Sequence, residues 1–133
     1  MRYLSLALLA ACAASHPVVT WTIARSGGEE RVEVRSNGDV EFTATNDGVK
    51  EKPETLRLTR EQVSELDDIL RTQHACQLAH DPAYTPAPDE SQTTLVVAFS
   101  DQQCTVTLWN SEWRRGPARD ISETMRSMRL KPK

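Results

Sequence analysis

The densest set of reactive side chains in the 133-residue chain is His74-Ala75-Cys76 followed by His80-Asp81. Two imidazoles, a thiol and a carboxylate are donor types for tetrahedral zinc, and Cys104 could join them. The spacing fits no zinc pattern, however, and a bond between Cys76 and Cys104 would consume both sulfurs. Hydrolysis by a nucleophile needs a serine or cysteine beside an oriented base. There is no G-x-S-x-G, and the histidines are His16, His74 and His80, none paired with a serine in a strand-to-helix elbow. The adjacent carboxylates Asp67-Asp68 and Asp89-Glu90 suit a charged helix face and a loop better than acid–base work. Gly27-Gly28 precedes no helix start and so makes no phosphate cradle. These residues predict a protein that is not an enzyme and needs no metal or cofactor, with a small enzyme or metal-binding protein as the remaining alternative.

The third cysteine has a different setting. Arg2, the apolar run Leu4 to Ala11 and the small residues around it have the layout of an export signal. Eight apolar residues span only about 12 Å as a helix, too short for a permanent membrane anchor. Leu9-Ala10-Ala11-Cys12 resembles the lipobox of bacterial lipoproteins. The resemblance implies diacylglyceryl transfer to the Cys12 thiol, removal of the signal peptide 1–11, and acylation of the new amino group, palmitate included. The alternatives are an ordinary secretory signal cut at Ala11-Cys12-Ala13 and a buried N-terminal helix. Ala13 is not the aspartate that favours inner-membrane retention, which implies an outer-membrane address, with the domain facing the periplasm or the cell surface. Residues 12–17 form a tether of about 20 Å at full extension. Cys76 and Cys104 are then an even pair in an oxidising compartment, where a disulfide is expected ahead of free thiols or a metal site.

With no catalytic set, the residues suited to function are those that suit a surface. Trp109-Asn110-Ser111-Glu112-Trp113-Arg114-Arg115 gathers two of the three tryptophans and two arginines, the types that dominate protein-binding hot spots. Trp109 packing under a helix is the competing explanation. Tyr84, between Pro82 and Pro86, marks a second candidate, because proline lowers the ordering cost of a binding loop. Trp109, Trp113, Arg114, Arg115 and Tyr84 are thus the expected contacts to a protein partner. Charge is uneven: residues 113–133 hold seven basic and two acidic side chains in a chain of net charge −3. That end could rest on anionic lipid, although a solvated helix face with a basic tail at 131–133 explains it as well. The acidic body and few aromatics argue against nucleic acid.

The elements that must carry these residues are readable from periodicity. Val18 to Arg25, Glu30 to Arg35 and the run from Val40 alternate as strands, and Asn37-Gly38 between two of them predicts a type I′ hairpin turn. Asn46 to Glu54 reads as a polar loop, followed by a short apolar piece at Leu56 and Leu58. Thr59 with Gln62 predicts a capping box, and Val63, Leu66, Ile69 and Leu70 recur at helical spacing. The prolines of His80 to Glu90 make a loop. Thr93 to Phe99, the most apolar strand, is expected at the centre of the sheet, and Cys104 to Trp109 follows it. Pro117 opens a last helix bearing Ile121, Met125 and Met128. The expected fold is two-layer α+β over residues 18–130: a mainly antiparallel sheet of five to six strands with two helices, in the order β-β-β-(β)-α-β-β-α.

Arg25-Ser26-Gly27-Gly28 and the leucine-bearing segment Leu58 to Leu70 resemble small bacterial α+β domains of the emfourin type, across an order of elements spanning residues 18–128. The resemblance implies inhibition of a thermolysin-like metalloprotease. The chain departs from that type in its lipobox, its cysteine pair and the lack of an apolar residue soon after the glycines, and no inhibitory residue is carried over. The leading expectation is a lipid-anchored envelope protein whose domain binds a protein or assists an assembly, with metalloprotease inhibition as the alternative.

Overall fold

Between Val18 and Trp109 the alternation of apolar and polar residues is realised as seven strands in a computed structural model of the protein, which describes residues 16–130. The signal segment 1–11, Cys12 and the tail 131–133 lie outside the described residues. The strands are β1 (Val18–Arg25), β2 (Gly28–Val34), β3 (Asp39–Asn46), β4 (Val49–Lys50), β5 (Glu54–Arg57), β6 (Gln92–Ala98) and β7 (Gln103–Trp109). All pair antiparallel in the order β4-β3-β2-β1-β6-β7, with β5 also on the outer edge of β3. The helices are α1 (Arg60–Thr72) and α2 (Gly116–Leu130). The fold is α+β with an open antiparallel sheet, as the periodicity predicts.

Three details differ from the sequence expectation. The strand β4 lies within the segment expected as a loop, because Asp47 (φ 50°) and Gly48 (φ 80°) form a two-residue turn that returns the chain onto β3. Two successive positive φ values are the signature of a type I′ turn, so that turn sits at Asp-Gly and not at Asn37-Gly38. At Asn37-Gly38 only the glycine is left-handed (φ 95°), and Gly38 N bonds Arg35 O at 2.9 Å while Arg35 N bonds Asp39 O at 2.8 Å. That is the longer hairpin loop in which a left-handed glycine closes a bulge. Finally, β6 is not central: it is next to the β7 edge, and its apolar character comes from lying between β1 and β7.

One face of the sheet holds the core. Val19 and Trp21 of β1, Val32 and Val34 of β2, Val40, Leu95, Val97, Val106 and Leu108 meet Val63, Leu66 and Leu70 of α1 and Ala118, Ile121, Met125 and Met128 of α2. The other face carries Thr20, Thr22, Thr94, Thr105 and Thr107, with the Thr94 and Thr107 hydroxyls 2.9 Å apart. The capping box forms as the sequence predicts: Gln62 N donates to Thr59 Oγ1 at 3.1 Å and Thr59 N to Gln62 Oε1 at 2.8 Å.

The two helices cover the sheet unevenly. The start of α1 is fixed near Gly38, where Leu58 N bonds Gly38 O at 2.9 Å. Its far end leads into a 3-10 turn, Ala75–Gln77, which the Cys76–Cys104 disulfide ties to β7. A cross-link closing this many residues stabilises a chain by about 3–4 kcal/mol in the entropic model. The chain enters beside α1, with His16 Nδ1 3.4 Å from Asp67 Oδ2. Gln73 Nε2 donates to Asp120 Oδ2 at 2.9 Å and holds α2 alongside α1. Past the reach of α2, Ile23 of β1 and Phe42 and Ala44 of β3 lie on the core side of the sheet but are only half-buried. Among the described residues, no helix is long and apolar enough to cross a membrane.

Candidate functional site

The segment from Trp109 to Arg115 divides between core and surface. Trp113 is 0% exposed, sits edge-on to Trp21 with ring centroids 4.7 Å apart, and donates from Nε1 to Thr93 O at 2.9 Å. It is removed from the candidate contact surface, because a buried ring bonded to a strand carbonyl cannot reach a partner. Trp109 is half-buried and by strand alternation lies on the threonine face, not under α2. Arg114 and Arg115 are exposed. The Arg115 guanidinium stands over the Tyr84 ring, 5.6 Å from its centroid.

Two carboxylates fasten the proline-rich loop to this segment. Glu112 accepts from Asp81 N at 2.8 Å, His80 Nδ1 at 2.9 Å and Trp109 N at 3.0 Å. Glu90 accepts from the Tyr84 hydroxyl, from Ser111 N at 2.9 Å and from Ala87 N at 3.3 Å. The Tyr84 bond, then the Ser111 amide, hold the Glu90 carboxyl below its ordinary value of 4.5. Burial pushes Glu112 up, but the bonds from Asp81, His80 and Trp109 outweigh it, so that it too is lowered. A carboxyl depressed in the folded chain contributes stability that is complete above its unfolded pKa and lost as pH falls through its folded one. Amide protection factors at Asp81, Ala87 and Ser111, taken against the intrinsic rate at each pH, are therefore expected to fall below about pH 4, before global unfolding. Glu112→Gln should produce the lower protection at Asp81 already at neutral pH. Exchange that changes only with the whole domain would show that these bonds do not hold the loop.

The residues with metal-site chemistry separate. His80 and Asp81 are engaged with Glu112, whereas His74, left-handed at φ 51°, lines a depression of about 300 Å³ with Cys76 and Phe99. Arg71 stacks there on Phe99 at 4.5 Å. Among the described residues, no three His, Cys, Asp or Glu side chains converge as a metal site.

The larger concavity is elsewhere. A groove of about 530 Å³ lies where β1, β2 and β3 run past α2. Its floor is apolar: Trp21, Ile23, Val32 and Phe42 project from the helix side of the sheet, and Met125 closes one wall. Arg114 and Arg126 stand on the α2 rim, and Lys52 and Glu54 on the other. No protein-family model matches the chain, and no curated protein matches it. The site therefore has to be read from its own chemistry.

Of the residues singled out in the sequence, the groove uses Arg114 alone. The others are dispersed from Trp21 to Arg126 and share no local motif. The one available signal was that Ile23, Phe42 and Ala44 continue the core-facing alternation past the last residues a helix of ordinary length could cover.

Proposed function

We propose that the protein is a lipid-anchored component of the bacterial cell envelope, placed at the outer membrane, whose single domain binds another protein without catalysing a reaction. The observation that carries this is the position of the groove. The chain enters at Val18, beside α1, and the groove lies around Ile23 to Arg25 at the opposite end of β1. Strand β1 of eight residues is roughly 26 Å long. A tether starting at Cys12 holds the entry end toward the bilayer and presents the groove to the aqueous side. The Cys76–Cys104 bond suits the oxidising compartment that such an anchor implies. His80, Glu90 and Glu112 are occupied as fasteners of a loop, which suits binding over chemistry.

The anchor is tested by Cys12→Ser followed by cell fractionation. The unaltered protein should pellet with membranes and dissolve only in detergent, and the variant should appear uncleaved or soluble. Equal membrane retention of both would refute the lipid anchor.

A further inference from the structure

The chemistry of the groove specifies more than an apolar contact. Eight charged side chains line it: Arg25, Arg31, Lys52, Arg114 and Arg126 against Glu30, Glu51 and Glu54. Several are already satisfied, since Arg25 pairs with Glu30 at 2.8 Å, Arg31 with Glu33 at 3.4 Å, and Asn46 donates to Glu51 at 2.8 Å. Arg114, Arg126 and Lys52 have no ion-pair partner among the described residues. A surplus of free cations around an apolar floor is unusual in a chain of net charge −3. It calls for a ligand with both apolar and acidic groups. The base of the groove is closed: Trp21 is 1% exposed and its indole Nε1 is enclosed.

We infer that the groove takes a short extended segment of a partner protein, with apolar side chains on Ile23 and Phe42 and acidic side chains facing Arg114 and Arg126. The inference rests on the reading of the protein as a binding module and assigns its site. The two arginines bracket the first ten or so residues of α2, about 15 Å of helix, which matches four to five residues of extended peptide. The lining is about as polar as it is apolar, and the groove opens at the end of the sheet away from the tether. Both features favour peptide over an acyl chain drawn from the bilayer.

The test uses the purified protein and a random heptapeptide library displayed on phage. Selected sequences should combine aromatic or branched aliphatic residues with aspartate or glutamate. A synthetic peptide of the selected sequence should shift the Trp21 indole N–H resonance, assigned with Trp21→Phe. The double variant Arg114→Glu/Arg126→Glu, altered only at exposed positions and checked for native circular dichroism, should bind it at least tenfold more weakly. Recovery of no sequences, recovery of basic ones, unchanged affinity in the double variant, or displacement of the peptide by dodecanoate at lower concentration would each overturn the assignment. Envelope proteins cross-linked equally by the double variant and the unaltered protein would leave the binding module standing and move its site elsewhere. No cross-linked protein with either would remove the module itself.

Discussion

Gly28→Ala is expected to remove much of the domain's stability, although Gly28 itself has an ordinary negative φ. A Cβ built on Gly28 would lie 1.7 Å from Thr45 O and 2.8 Å from Thr45 C. Both atoms are backbone of β3, whose Asn46 pairs directly with Gly28, so no side-chain rotation can relieve the overlap. The start of β2 would have to move away from β3, taking with it the pairing of Arg25 with Gly28 and the bond from Asp47 N to Gly27 O. The expected cost is about 3 kcal/mol or more. Set against a domain stability of roughly 5–15 kcal/mol, that is enough to populate unfolded chains at growth temperature. Gly48→Ala is the matched control. Its Cβ would meet nothing within 4 Å, but its φ of 80° is unfavourable for alanine, a strain of about 1–2 kcal/mol. Urea unfolding of both variants separates the two effects, and equal losses would show that strand approach does not determine the need for glycine in this turn.

The same turns show what the sequence could and could not reveal. Element types were legible wherever a local rule sufficed: Thr59 and Gln62 make their capping box, and Val63, Leu66 and Leu70 face the sheet because a 3.6-residue period leaves them nowhere else to go. The type I′ turn was not legible, because Asn37-Gly38 and Asp47-Gly48 both satisfy its residue preference. The loop lengths decide between them: Val34 pairs with Val40 across five residues, Asn46 with Val49 across two. Those registers are set by the inward-facing valines, not by the turn dipeptides. The groove was hidden for a comparable reason. Ile23 and Phe42 announce a core-facing side, but whether a helix covers them depends on where α2 lies, and that is fixed by contacts remote in sequence, such as Gln73 with Asp120. Trp113 has the composition of a hot spot and the position of a core residue, and composition alone cannot separate the two.

Trp113→Ala provides that separation by experiment and decides how partner-binding data on this region should be interpreted. The ring is fully enclosed, packs against Trp21, and occupies the acceptor Thr93 O. Truncation would leave a cavity among Trp21, Thr93 and α2 and lose the hydrogen bond to Thr93 O, at an expected cost of about 3–5 kcal/mol. Trp113→Phe keeps most of the apolar contact and loses the N–H, so about 1–2 kcal/mol is expected. Arg114→Ala, one residue away and exposed, should change stability by no more than about 0.5 kcal/mol. Denaturant midpoints with unchanged slopes would verify the order, and a Trp113→Ala protein as stable as the unaltered one would mean that the ring is not in the core. The ranking matters for function. Loss of a partner with Trp113→Ala reports only that the domain has loosened, and at this magnitude cellular abundance would fall as well. Loss with Arg114→Ala, in a protein whose midpoint has not moved, reports the groove rim itself, because the only thing removed is a guanidinium that the fold leaves without an ion-pair partner among the described residues.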